Sequence, residues 1–258
     1  MRILSLCFVL LLAAAATMSA TPCLGVDNGG GTVNLPPGGC AYAAQGPLLM
    51  DNGFPPASSI VIPVAVLTVL PGGTEGAGGG LGGTQEDFPS LLEFQLTGTG
   101  GLAGYNRTIT LPTMCEVHTG PRTAGTPVQS FDTDLLGCQG QIAGDPDFDL
   151  LRITAGTGFG LPSPGHTTLT QLGGTGNWNV DSFFDVSYKI DFVGRPGGAF
   201  SGMSGSSTHD PIFQLGDPVP EPGTMSLLLG GGLAFTLAAR RKPKQYVNRG
   251  RDSGKGGV

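Results

Sequence analysis

The sequence predicts an all-β fold, an antiparallel β-sandwich or irregular barrel with long Gly/Pro-rich loops. Three observations carry that expectation. The apolar segments between residues 21 and 218 are short and rich in β-branched residues. One of them alternates apolar and polar side chains with period two. No segment in that range sustains a 3.6-residue apolar period with helix caps. The 46 glycines and 21 prolines of this 258-residue chain fall largely between the apolar segments, where turns need them.

The clearest strand lies in DSFFDVSYKIDFVG, residues 181–194. Phe184, Val186, Tyr188, Ile190 and Phe192 alternate with Asp185, Ser187, Lys189 and Asp191, so one strand would place every large apolar group on one face. Residues 59–70, SIVIPVAVLTVL, read as a second, with Pro63 implying an edge position, a bulge or two short strands. Residues 91–97, 107–111, 150–154 and 167–172 are shorter candidates. Between them, residues 71–83, PGGTEGAGGGLGG, read as a flexible surface loop or hinge; the lysine and following helix of a phosphate-cradling loop are missing. A faint echo links Phe88-Pro-Ser-Leu-Leu to Phe131-Asp-Thr-Asp-Leu-Leu. Each precedes by about twenty residues a strand bearing an arginine, Arg107 or Arg152, as a weakly duplicated β unit would.

The ends of the chain carry a different signal. Met1-Arg2 supplies a positive charge, residues 3–16 form an apolar run too short to span a bilayer comfortably, and small residues follow to Ala20. Residues 1–20 therefore read as a signal peptide for the general secretory machinery, with signal peptidase cutting after Ala16, Ser19 or Ala20. Pro22 before Cys23 argues against lipidation there. Between the terminal clusters, 5 basic side chains remain against 18 acidic ones, a net charge near −13. Nucleic acid, which demands a basic footprint, is excluded as a partner. Four cysteines remain past the signal, Cys23, Cys40, Cys115 and Cys138, and an oxidising compartment favours disulfides. Of three connectivities, the short loops favour Cys23–Cys40 and Cys115–Cys138.

Chemistry is sparse. Asp145, Asp147 and Asp149 alternate as weak calcium candidates, although Leu150 stands where an EF-hand loop needs glycine. Calcium is thus the one conceivable cofactor, and otherwise none is expected. Trp178, flanked by Asn177 and Asn179, is a possible sugar contact. His118, His166 and His209 are scattered, and neither HExxH nor GxSxG occurs. No catalytic residue is assigned, and a non-enzymatic protein is expected. A module binding extracellular polysaccharide or calcium is the alternative. An exported hydrolase, whose Ser–His–Asp site only the fold would assemble, is the third reading.

Residues 219–244, VPEPGTMSLLLGGGLAFTLAARRKPK, complete the picture. As a helix, residues 224–239 would reach about 24 Å at 1.5 Å per residue, short of a bilayer core of about 30 Å. Gly230, Gly231 and Gly232 weaken it further, and Arg240, Arg241 and Lys242 would hold its end in the cytoplasm. Val219, Pro220, Glu221 and Pro222, the short apolar segment and the basic cluster together resemble the PEP-CTERM sorting signal of Gram-negative bacteria. The resemblance implies recognition by an exosortase, a membrane-embedded cysteine transpeptidase, and removal of the tail near Pro220–Pro222. It also implies a transient inner-membrane anchor and a destination at the cell surface or in the extracellular matrix of biofilm-forming bacteria. Basic residues usually close such a signal, whereas residues 243–258 add a polar basic tail here. The body, residues 21–218, resembles uncharacterised secreted bacterial proteins with an SFFDV-type strand, here residues 182–186, and an upstream Phe131-Asp-Thr-Asp-Leu135.

Overall fold

The computed structural model describes residues 23–174 and 176–215. The signal segment, the sorting motif, the expected membrane segment 224–239 and the basic tail lie outside the described residues. Among the described residues no helix is long and apolar enough to cross a membrane.

Fifteen strands follow one another there: β1 (Cys23–Val26), β2 (Ala41–Ala44), β3 (Leu48–Met50), β4 (Ile60–Ile62), β5 (Ala65–Val69), β6 (Thr74–Ala77), β7 (Thr84–Gly98), β8 (Asn106–Thr119), β9 (Val128–Ala143), β10 (Phe148–Ala155), β11 (Pro164–Leu172), β12 (Asn177–Asp185), β13 (Tyr188–Gly194), β14 (Ser204–His209) and β15 (Ile212–Leu215). The ladders between them are antiparallel. Eight strands close a ring, in the order β9, β11, β12, β15, β2, β5, β7, β8 and back to β9. Closure removes the unpaired edges that an open sheet exposes.

Three strands of 14 to 16 residues, β7, β8 and β9, outrun the ring. Beyond it, β10 pairs with residues 138–143 of β9, β13 with β10, and β14 with β13. On the other side, β4 continues along the edge of β7, and β3 pairs with β4. The segment at β3 meets β13 and β14 through side chains instead of a ladder. Ser207 Oγ accepts from the Asp51 and Asn52 N–H groups at 2.9 and 3.2 Å, and Tyr188 Oη accepts from Leu49 N–H at 2.8 Å. Gly53 and Gly205 allow this approach, since a Cβ on either would collide with the other segment's backbone.

The interior holds two apolar clusters. The larger runs from Leu48, Met50, Ile60 and Ile62 through Phe88, Leu92, Leu111 and Cys115 to Phe148, Tyr188, Phe192 and Phe200. The smaller gathers Val33, Leu35, Phe131, Leu169, Trp178 and Val180 beneath β1. Disulfides join Cys23 to Cys40 and Cys115 to Cys138. The first fastens short β1 to the residue before β2, and the second links register partners on β8 and β9. Loops of this length give roughly 3 kcal/mol each by the chain-entropy account.

The expected single strand over residues 181–194 is two. Burial does alternate from Phe184 to Phe192, but β12 ends at Asp185 and β13 begins at Tyr188 with different neighbours. At the joint, the Val186 N–H donates to Pro211 O and the Ser187 N–H to Pro162 O. One apolar face is thus shared across a change of partners. Residues 59–70 break at Pro63 into β4 and β5, both on the same edge of β7. The expected loop at residues 71–83 contains β6, which forms a hairpin with residues 84–87. The echoing segments occupy two successive antiparallel pairs, β7–β8 and β9–β10.

A charge is buried where this hairpin meets the chain around residues 32–35. The Arg122 side chain is 7% exposed. It donates to Val33 O at 2.6 Å and to Thr84 Oγ1 at 3.0 Å, and its guanidinium lies 5.3 Å from the centre of the Phe131 ring. Its Nη2 stands 3.6 Å from carboxylate oxygens of both Glu75 and Glu86. Burial, reinforced by the Glu75 charge, pushes Glu86 up to about 8, against the opposing pull of Thr84 and Arg122.

Two outcomes follow from this packing. The native state holds a proton on Glu86 that the unfolded chain releases above about pH 4.5, so stability falls as pH rises from there to about 8. Chemical denaturation across that window will show Glu86→Gln lacking this part of the decline, at most about 1.4 kcal/mol per pH unit. Trp178 has no exposed surface, and Trp178→Ala will lower unfolding free energy by about 3–5 kcal/mol in urea melts followed by circular dichroism.

Candidate functional site

The sorting residues Val219, Pro220, Glu221, Pro222, Arg240, Arg241 and Lys242 lie outside the described residues, so their case rests on sequence. The other candidates lie on the barrel and its extension.

The carboxylates expected as weak calcium candidates are taken up by Arg107. Asp145 receives both terminal nitrogens of Arg107, which projects from β8, with Nη1 at 2.6 Å from Oδ1. Asp147 Oδ2 accepts from the same Nη1 at 2.8 Å and from the Tyr105 hydroxyl at 3.0 Å. Its other oxygen accepts from the Ala199 N–H at 3.1 Å. The bidentate Arg107 fork holds Asp145 below the usual carboxylate range despite partial burial. Burial pushes Asp147 up, but the Ala199 N–H, Arg107 and Tyr105 together outweigh it and keep it low. Asp149 is exposed one residue beyond buried Phe148. Arg107 is the cation of this cluster, and its work is to pin the β9–β10 turn. Among the described residues, no group of three or more His, Cys, Asp or Glu could hold a metal ion.

Trp178, the expected sugar contact, is buried. It fills the core beneath β1, and its Nε1 donates to Asp27 Oδ2 at 3.2 Å. The hydrogen bonds from Gly29 and then from Trp178 lower the Asp27 carboxyl below its ordinary range. A buried indole with its N–H satisfied has no face to offer a ligand. Exposed aromatic faces occur instead at Phe159 and Phe183.

The three histidines are separate, each beside one carboxylate: His118 by Glu116, His166 by Asp132, and His209 by Asp51. His118 Nδ1 also accepts from the Gly80 N–H at 3.0 Å, and His166 pairs with a serine. On the outer face of the barrel, Ser130 Oγ is 2.7 Å from His166 Nε2, and His166 Nδ1 is 3.1 Å from Asp132 Oδ1. Strand register makes this row. Ser130 and Asp132 stand two apart on β9 and share a face, while β11 sets His166 opposite Asp132 and Thr168 opposite Ser130. On the far side of His166, β12 places Phe183, 43% exposed. The order serine–imidazole–carboxylate is that of an activated nucleophile. Sequence reading missed it because 34 residues separate His166 from Asp132, and only the β9–β11 register joins them. The serine–acid spacing of two within a strand was the sole local trace.

Comparison with known proteins gives one finding. A family model described as the PEP-CTERM protein-sorting motif matches residues 218–242. No curated protein and no solved structure matches the chain. The matched segment contains the Pro220-Glu221-Pro222 motif, the apolar run and the basic cluster in order. Residues 218–242 are therefore a PEP-CTERM sorting motif, and they mark the chain as an exported protein of the cell envelope that an exosortase recognises and processes.

Proposed function

We propose that the chain is a non-enzymatic cell-surface or extracellular-matrix protein whose barrel is the displayed part. The tail holds the protein transiently at the inner membrane of a Gram-negative bacterium until the exosortase removes it near Pro220–Pro222. The observation that carries this reading is the sorting-motif match at residues 218–242. Three further features support it. The N-terminal residues have the pattern of a signal peptide. The acidic body repels polyanions and stays soluble outside the cell. A ladder-closed wall around an apolar core suits a displayed body that keeps its own shape. The readings that relied on Trp178 for polysaccharide, and on Asp145, Asp147 and Asp149 for calcium, lose their residues to the core and to Arg107.

Mass spectrometry of the mature protein from its native host tests the sorting step. The expected C-terminal peptide ends near Pro220–Pro222. Recovery of a mature chain that retains residues 224–258 refutes exosortase processing. Pro220→Ala with Glu221→Ala will leave the uncut form in the membrane fraction.

A further inference from the structure

We propose that Ser130 is an acyl-acceptor site, able to take one acyl group from an activated ester, with His166 as its base and Asp132 as the residue that positions His166. The geometry has the required order and direction. Asp132 Oδ1 accepts from His166 Nδ1–H, which fixes the tautomer whose Nε2 carries a lone pair toward Ser130. With its own proton committed to Nε2, Ser130 Oγ still has room for the second contact it makes, with Thr168 Oγ1 at 3.2 Å. Access is open, since Ser130 lies on the exposed outer face and the Asp132 side chain is 83% exposed. Phe183 beside His166 offers an apolar bed for the acyl or leaving group. An open groove of about 500 Å³, lined by Asp132, Asp134, Thr157, Pro162 and Leu81, begins at the same row.

The step balances without a redox partner. Ser130 Oγ forms a bond to the acyl carbon as its proton passes to His166 Nε2, the bond from that carbon to the leaving oxygen breaks, and the proton goes on to the departing oxygen. Release of the acyl group is the harder half. An activated aryl ester expels a weakly basic aryloxide, but a serine ester expels an alkoxide. That reaction depends on hydrogen-bond donors aimed at the developing oxyanion. The poorer leaving group makes release slower than loading, so Ser130 fills faster than it empties, which makes it a point of covalent attachment and leaves the proposed display role intact.

The test exposes the full chain to p-nitrophenyl acetate and follows p-nitrophenolate release together with peptide mass spectrometry. The expected result is a stoichiometric burst, with the acetyl group on Ser130. Ser130→Ala will lose the burst, and His166→Ala will slow it by about 100-fold, the usual scale of general-base assistance. Asp132→Asn will slow it about tenfold, and Asp132→Glu will restore it along with the His166 Nδ1–H proton resonance that Asp132→Asn removes. These side chains are on the surface, so circular dichroism of each variant will match the parent. Acetylation of Ser130 no faster than that of exposed Ser204, or a burst unchanged in His166→Ala, overturns the proposal. Release as fast as loading overturns the attachment part. None of these outcomes depends on whether the tail is cut.

Discussion

A strand edge can hydrogen-bond to one neighbour at each position, and the whole structure depends on how β9 divides one of its edges. Residues 128–134 of that edge belong to β11 and residues 138–143 to β10. The other edge stays with β8 through residues 133–140. Between the two partners the β8–β9 register shifts, Glu116 facing Gly137 and Val117 facing Leu135, so Leu136 is the extra residue of a bulge. At that point the Leu135 N–H turns to Ser163 O. The ladder-closed ring lies on one side of the bulge and the β10–β13–β14 extension on the other. β12 and β13 repeat the same division, because one alternating apolar face passes from ring to extension as the neighbours change.

Charge is arranged to serve this framework. Each of the five basic side chains of the body is used near its seams. Arg107 fastens the β9–β10 turn, and Arg195 donates to Gly144 O and Asp145 O of the same turn. Arg152 and Lys189 converge on Asp191. Arg122, the most enclosed, lies between the β6–β7 hairpin and the chain around residue 33. With the cations engaged internally, the large excess of carboxylates defines the field that other molecules meet. Exposed pairs add little stability, whereas Arg122 is costly to leave alone because its partners are buried with it.

Much of the fold is legible in the sequence where side-chain contrast is strong. Phe184 to Phe192 alternates cleanly, and Pro63 breaks its segment where a missing N–H demands it. β9 is the instructive miss. Its inward positions include Gln129, Thr133 and Gly140, so the central strand of the molecule carries a blurred apolar signal. Gln129 is polar inside because its amide serves Gly31 O at 2.7 Å, a demand set by the tertiary structure. The same cause hid the outer row of Ser130, Asp132 and His166, and it misdirected the reading of Asp145 and Asp147. Their partner, Arg107, lies about forty residues upstream, and carboxylate spacing says nothing of a distant guanidinium. The sorting motif is read directly because it is linear and needs no fold to assemble it.

The last strand of the barrel has a consequence for when the wall can close. β15 fills the gap between β12 and β2, so the wall is complete only once Leu215 is in place. The sorting motif begins three positions later. The place of β15 in the chain fixes an order of events, because the closing strand can reach its seat only after nearly every described residue of the body has emerged. The wall therefore shuts last, at the end of the body that lies next to the sorting motif in the sequence.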